Sequence, residues 1–383
     1  MCSHYLSHCL SHYLSHYLSH YLSRRLDVCC SMTGYGPGLI EALTRGATRH
    51  VHGQRATDAS LASGQHHHMR DEARSHMHDV TFDVPDEFAA FIADYFGAEG
   101  AAWLAALPAL LMEYSHRWTL TPEPPFAGLS YNYVTRVRRA DGMPAVLKAG
   151  VPGPEFRASI AFLRLCEGRG AVRLLEADAD ACVMLMEQAF PGAPLAQLEN
   201  DDAATVIGAD VMREFWRPAP ASHPFPTVAR WLEAFAKVRA MYHGGSGPFP
   251  PGMLARAETL GAELLASAPY ERLMHGDLHH DNIVSAQREP WLLIDPKGLV
   301  GDPGYETGPF MNNPYGRMET WAEPARQFAR RADILAERLS YPRERILAWG
   351  FTQAVLSAAW HVEDGSDRYG PAIARAEVLA TLL

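Results

Sequence analysis

Leu273-Met-His-Gly-Asp-Leu-His-His-Asp-Asn-Ile-Val284 leads through a short loop into Trp291-Leu-Leu-Ile-Asp-Pro-Lys-Gly298. The first segment carries His275, Asp277 and Asn282. The second is an apolar run, Trp291 to Ile294, that ends on Asp295. Two carboxylates and an amide, set close together around a strand, suit phosphoryl transfer. One carboxylate orients the attacking hydroxyl and takes its proton. The amide oxygen and the other carboxylate hold the magnesium that neutralises the phosphates.

A second chemistry fits part of the same stretch. His275, Asp277, His279, His280 and Asp281 are all plausible zinc ligands, as in a metal hydrolase. Asn282 is a poor ligand for zinc and a good one for magnesium. Within the cluster, His279, His280 and Asp281 read as loop-shaping residues, and His275 as a structural hydrogen-bonder.

Asp277 and Asn282 have the spacing of the Asp and Asn in the kinase loop H-R-D-x-x-x-x-N. His275-Gly-Asp-Leu-His-His-Asp-Asn282 with Ile294-Asp-Pro-Lys-Gly-Leu-Val-Gly-Asp-Pro303 resembles the aminoglycoside phosphotransferases. The continuation through Gly304-Tyr-Glu306 to Met311-Asn-Asn-Pro314 is most similar to their streptomycin and hydroxyurea kinase branch. The resemblance spans residues 77 to 383. It implies an α/β (α+β), two-lobed protein-kinase-like fold with a small sheet-containing N-lobe and a mostly helical C-lobe. The implied reaction is transfer of the ATP γ-phosphoryl group, with magnesium (Mg2+), to a hydroxyl of a small molecule. The implied acceptor is streptomycin or a related aminoglycoside, with hydroxyurea as the other named possibility. Asp277 then orients or deprotonates the hydroxyl, while Asn282 and Asp295 hold magnesium. A kinase for a housekeeping sugar or amino alcohol, and a nonenzymatic pseudokinase, are the other readings.

Composition agrees with a folded enzyme. The chain has 383 residues and a net charge of −10, which argues against a general nucleic-acid binder. An acidic protein suits a cationic small substrate. No uninterrupted apolar stretch is read as a transmembrane helix, and Ala98 to Met112 is interrupted by Pro108. Cys2, Cys9, Cys29 and Cys30 lie near the start, and only Cys166 and Cys182 lie in the expected enzyme. That is no disulfide framework, so a reducing, cytoplasmic setting is expected.

Residues 4 to 22 repeat Ser-His-Tyr-Leu with small variations. This reads as low-complexity sequence, without the basic flank of a secretory signal. Residues 31 to 76 are rich in Gly, Ser, Arg and His and show no period. The expected division is therefore an extension (1 to 76, disordered), a nucleotide-binding lobe (77 to 189) and a catalytic, acceptor-binding lobe (190 to 383). Met69 and Met77 are candidate functional starts.

From Asp83 the pattern changes. Pro85 to Phe96 and Ala98 to Tyr114 read as helices. Tyr131 to Arg138 and Pro144 to Ala149 read as strands joined by a hairpin at Asp141-Gly142. Lys148, in Ala145-Val-Leu-Lys148, resembles the kinase lysine that contacts the α and β phosphates. The nearest substitute for a glycine-rich loop is Gly128-Leu-Ser-Tyr-Asn132. Pro154 to Glu167 reads as the helix that, in kinases, carries a glutamate partner for that lysine. The expected position is Ser159, and Glu155, one turn earlier on the same face, is the candidate replacement. Ala171 to Glu176 and Cys182 to Glu187 read as strands. By resemblance the backbone of Glu187, Gln188 and Ala189 forms the hinge that binds adenine. The remaining helical segments, by resemblance, contain the acceptor site, with Asp302, Glu306, Glu363 and Asp364 as its acidic candidates.

Overall fold

The computed structural model describes residues 82–383. The tetrapeptide repeat, the histidine-rich segment, Met69, Met77 and the expected extension lie outside the described residues. Helix α1 (Asp86–Arg117) leads into β1 (Leu120–Pro125), β2 (Asn132–Arg139), β3 (Pro144–Gly150), α2 (Pro154–Cys166), β4 (Leu174–Asp178) and β5 (Val183–Glu187). Strand β6 (Pro191–Pro194) is followed by α3 (Asp201–Phe215), α4 (Val228–Met241), α5 (Met253–Ala266) and β7 (Arg272–Met274). Strands β8 (Ile283–Ala286), β9 (Trp291–Leu293) and β10 (Leu299–Gly301) precede α6 (Thr307–Met311), α7 (Pro324–Leu339), α8 (Arg343–Glu363) and α9 (Gly370–Ala380).

The two helices expected before the sheet run on as one element. Gly97 (φ 57°, ψ −132°) breaks the helical geometry between them, and Pro108 lies inside the second segment instead of ending it. By length and mean hydropathy (1.3) α1 does match a membrane span, unlike the reading from sequence. Its kink falls within that length, and its inner face, Phe88, Ile92, Trp103, Leu107, Leu111 and Tyr114, packs into a core.

The sheet runs β1-β2-β3-β5-β4, antiparallel throughout. Strand β1, missed in the sequence, contains Pro122, Pro124 and Pro125 and lies at the edge, where missing N–H groups are tolerated. The β2–β3 hairpin closes through Arg139 N–H to Met143 O and Gly142 N–H to Arg139 O, with Gly142 at φ 79°. Side chains alternate across a strand. Ala145, Leu147 and Ala149 of β3 therefore join Tyr133, Val137, Val183 and Leu185 against α1. Lys148 points to the opposite face, where its register partner on β5 is Met184, a residue of the other core.

That larger core is built on α8, which is buried from Ile346 to Val362. An apolar helix without a polar face is what a bundle centre requires. Arg331 on α7 is fully buried and pairs with Asp201 at the start of α3 (Nε–Oδ2 2.8 Å). It also donates to the carbonyls of Met311 and Asn313, closing the end of α6. Burial works against the charge of Asp201, and the Arg331 guanidinium more than offsets it, holding the carboxyl below its ordinary range.

Arg331→Met should cost about 3–5 kcal/mol in urea unfolding, because it strands a buried carboxylate and several carbonyls. Adding Asp201→Leu should recover part of that loss.

Candidate active site

Strand β7 pairs antiparallel with β10, and β8 pairs with both β6 and β9. The catalytic stretch runs between these small sheets. His275 is fully buried, with Nε2 2.8 Å from the Ile294 carbonyl. Burial pushes its pKa down to about 4, so the ring is neutral at physiological pH. Its carbonyl accepts from the N–H groups of Lys297 (2.9 Å) and Gly298 (3.0 Å). His275 is thus a structural pin between the two motif segments.

Asp277 is buried and its carboxyl is pushed up by desolvation, with His279 and Lys297 pulling it back. Asn282 lies at the end of a short 3-10 turn, His280–Asn282. Its Nδ2 donates to the Asp277 carbonyl (2.9 Å) and lies 3.1 Å from His279 Nε2. Its Oδ1 is buried with no hydrogen-bond partner among the described residues. That unpartnered oxygen and the Asp295 carboxylate are hard donors of the kind magnesium selects.

Asp295 follows β9 with φ 55°, a left-handed conformation that costs about 1–2 kcal/mol for an L-residue. Its Oδ1 is 2.5 Å from Lys148 Nζ. Burial alone would raise its pKa. Lys148 and Lys297 overcome that and hold it well below the carboxylate range. Asp277, Asn282, Asp295 and Lys148 are therefore brought to one place.

The zinc cluster does not converge. His280 stacks on Phe310 with centroids 4.1 Å apart, and His275 is spent on Ile294. Among the described residues no group of three His, Cys, Asp or Glu is arranged to hold a metal.

Glu155 does not pair with Lys148. It lies in the first turn of α2, where its Oε1 meets Lys297 Nζ at 2.7 Å. Ser159 is buried, with its hydroxyl unpartnered among the described residues. The Glu187 N–H donates to the Arg173 carbonyl, and its carboxylate takes the Arg173 N–H and Arg288. Its N–H is thus committed within the strand's own lobe, its carboxylate reaches Arg288 of the second, and Gln188 and Ala189 follow beyond the strand.

Two of the four acidic acceptor candidates, Asp302 and Glu306, are committed to the scaffold. Asp302 is buried and takes bonds from Gly304 N–H (2.9 Å), Trp349 Nε1 (2.6 Å), Tyr341 and Arg345. Glu306 is fully buried and accepts from His275 N–H (2.8 Å) and Gly276 N–H (2.9 Å). Burial pushes Glu306 up to about 8 against the pull of those donors. Glu363 pairs with Lys237 at 3.3 Å, and Asp364 caps α8. Instead, the cleft beside Asp277 is lined by Asn312, Asn313, Tyr315, Gln353, Ser357 and Arg375, among others. Asn312 and Asn313 each leave a buried Oδ1 unpartnered among the described residues. The acidic residues close in sequence proved to be scaffold, while the cleft residues carry no charge pattern that marks them beforehand.

The family described as aminoglycoside/hydroxyurea antibiotic resistance kinase matches residues 117–365. The chain belongs to that family. It is a phosphotransferase with an alcohol group as acceptor. Streptomycin 6-kinase of Streptomyces glaucescens is 36% identical over 295 residues, covering 76% of this chain and 94% of the relative. Hydroxyurea phosphotransferase of Kitasatospora aureofaciens is 34% identical, covering 74% and 81%. An aminoglycoside phosphotransferase solved with ADP and hygromycin B shares the fold at TM-score 0.52 and 15% identity, covering 70% and 97%. A choline kinase of Streptococcus pneumoniae does so at 0.51 and 15%, covering 71% and 98%. The kinase-like, two-lobed expectation is met.

Glu306→Gln removes one acceptor oxygen beneath the loop. It should cost about 1–3 kcal/mol in urea unfolding, the penalty of one unpaired buried N–H.

Proposed function

We propose that the protein is an ATP-dependent, cytoplasmic O-phosphotransferase for streptomycin or a related aminoglycoside. The observation that carries this reading is the convergence of Lys148, Asp295, Asn282 Oδ1 and Asp277. Residues 77 to 189 bind the nucleotide, with the backbone of Gln188 and Ala189 taking adenine. Residues 190 to 383 present the acceptor. Lys148 takes the α and β phosphates. Asn282 and Asp295 would hold that ion, which neutralises the phosphate oxygens when bound. Asp277 orients the acceptor hydroxyl and receives its proton. A carboxylate whose proton affinity is raised by burial is a better base.

Support for the acceptor comes from the relatives named for streptomycin, together with the cleft beside Asp277. The unpartnered oxygens of Asn312 and Asn313 are suited to accept guanidinium or amine N–H groups without a carboxylate wall. Binding through neutral amides predicts a KM for streptomycin that changes little with salt. The neutral amides beside Asp277 also suit hydroxyurea, small and neutral, as the second reading.

Steady-state assays with both acceptors test this. Streptomycin should be phosphorylated faster than hydroxyurea. Asp277→Ala should lower kcat at least ~10²-fold while ATP still binds. The acid limb of the pH profile should lie above the ordinary aspartate range, because Asp277 must be ionised to act and burial raises its pKa. Turnover of hydroxyurea alone would select the second reading, and turnover of neither would refute both.

A further inference from the structure

The glutamate that should hold Lys148 is missing, and the nearest candidate holds a different lysine. Lys297 lies two residues beyond Asp295, buried, with its backbone N–H on the His275 carbonyl. Its side chain leaves the backbone directly beside Gly276: a Cβ on that glycine would stand 3.3 Å from Lys297 Cβ. Its ammonium reaches Glu155 on α2 at 2.7 Å. From there its charge bears on both Asp277 and Asp295. Under the phosphotransferase reading these are the base and one magnesium ligand.

We propose that Lys297 is a catalytic residue that contacts the transferring phosphoryl group, with Glu155 positioning its ammonium. The inference rests on the phosphotransferase reading above and deepens it. In the reaction the bond between the β–γ bridging oxygen and phosphorus breaks, and the acceptor oxygen bonds to that phosphorus. The hydroxyl proton passes to Asp277, and ADP leaves with the bridging oxygen. Lys297 stays protonated throughout. Charge spreads over the three equatorial oxygens in this transition state. Lys148 is assigned to the α and β phosphates, and Arg375 lies on the acceptor side, 4.1 Å from the Tyr315 ring centroid. Lys297 supplies a further cation, for the γ-phosphoryl oxygens. A buried, preorganised charge aimed at developing negative charge is the strongest kind of electrostatic catalysis. The arrangement also accounts for Ser159: the helix acid is used one turn earlier, on the second lysine.

The test compares wild type, Lys297→Met, Lys297→Arg and Glu155→Gln. Lys297→Met should lower kcat at least ~10²-fold with little change in KM for ATP. Its affinity for ADP and magnesium should be unchanged, whereas binding of ADP with magnesium and aluminium fluoride, a mimic of the phosphoryl group in transit, should weaken about tenfold or more. Lys297→Arg should retain part of kcat. Glu155→Gln should weaken the fluoride complex less, and have no further effect in the Lys297→Met background. If Lys297→Met does not fold, Glu155→Gln and Lys297→Arg decide by the same two binding measurements. Wild-type kcat in Lys297→Met, or equal losses for ADP and the fluoride complex, would overturn the inference and leave the phosphotransferase reading intact. A wild type that transfers phosphate to no acceptor and hydrolyses no ATP would remove that reading, and this inference with it.

Discussion

The ion pair between Lys148 and Asp295 joins the edge of one core to the edge of the other. Strand alternation aims Lys148 away from α1, and the short β9 delivers Asp295 in a left-handed conformation to meet it. Both charges are largely withdrawn from water, so either one without the other would be costly. The pair also keeps Asp295 ionised, the state in which it can ligate magnesium.

Beneath that contact the loop is held by buried acids. Glu306 takes the N–H groups of His275 and Gly276, so the backbone entering Asp277 is held by a buried carboxyl group. Asp302 is fixed by Trp349, Tyr341 and Arg345 and joins the loop's support to α8. Such fully satisfied networks are rigid, and rigidity here sets the position of the Asp277 carboxylate. The missing Lys148 partner fits the same picture, since Glu155 is spent on Lys297.

The fold was legible because its determinants are local and repetitive. The Asp141-Gly142 turn, the alternation of β2 and β3, and the D-x-x-x-x-N spacing each follow from short-range geometry. Asp277, Asn282 and Asp295 stand out by residue type and spacing, and Lys148 by its resemblance to the kinase strand lysine. Strand β1 was missed because Pro122, Pro124 and Pro125 read as loop, and only its edge position makes it a strand. Glu306 and Asp302 were misplaced because a charge after the catalytic motif looks the same whether it faces a ligand or backbone N–H groups. The difference is a matter of three-dimensional burial. Lys297 carries no mark of its role within the motif, for its partner Glu155 lies far away in sequence. The cleft residues Asn312, Gln353 and Arg375 come together only when α6, α8 and α9 pack.

The central claim is transfer of phosphate to a hydroxyl, and phosphorus NMR observes it directly. Wild-type protein incubated with magnesium, ATP and streptomycin should yield ADP and a new phosphate-monoester resonance in equal amounts. ADP accompanied only by inorganic phosphate, or unchanged ATP with every hydroxyl acceptor tried, would contradict the account.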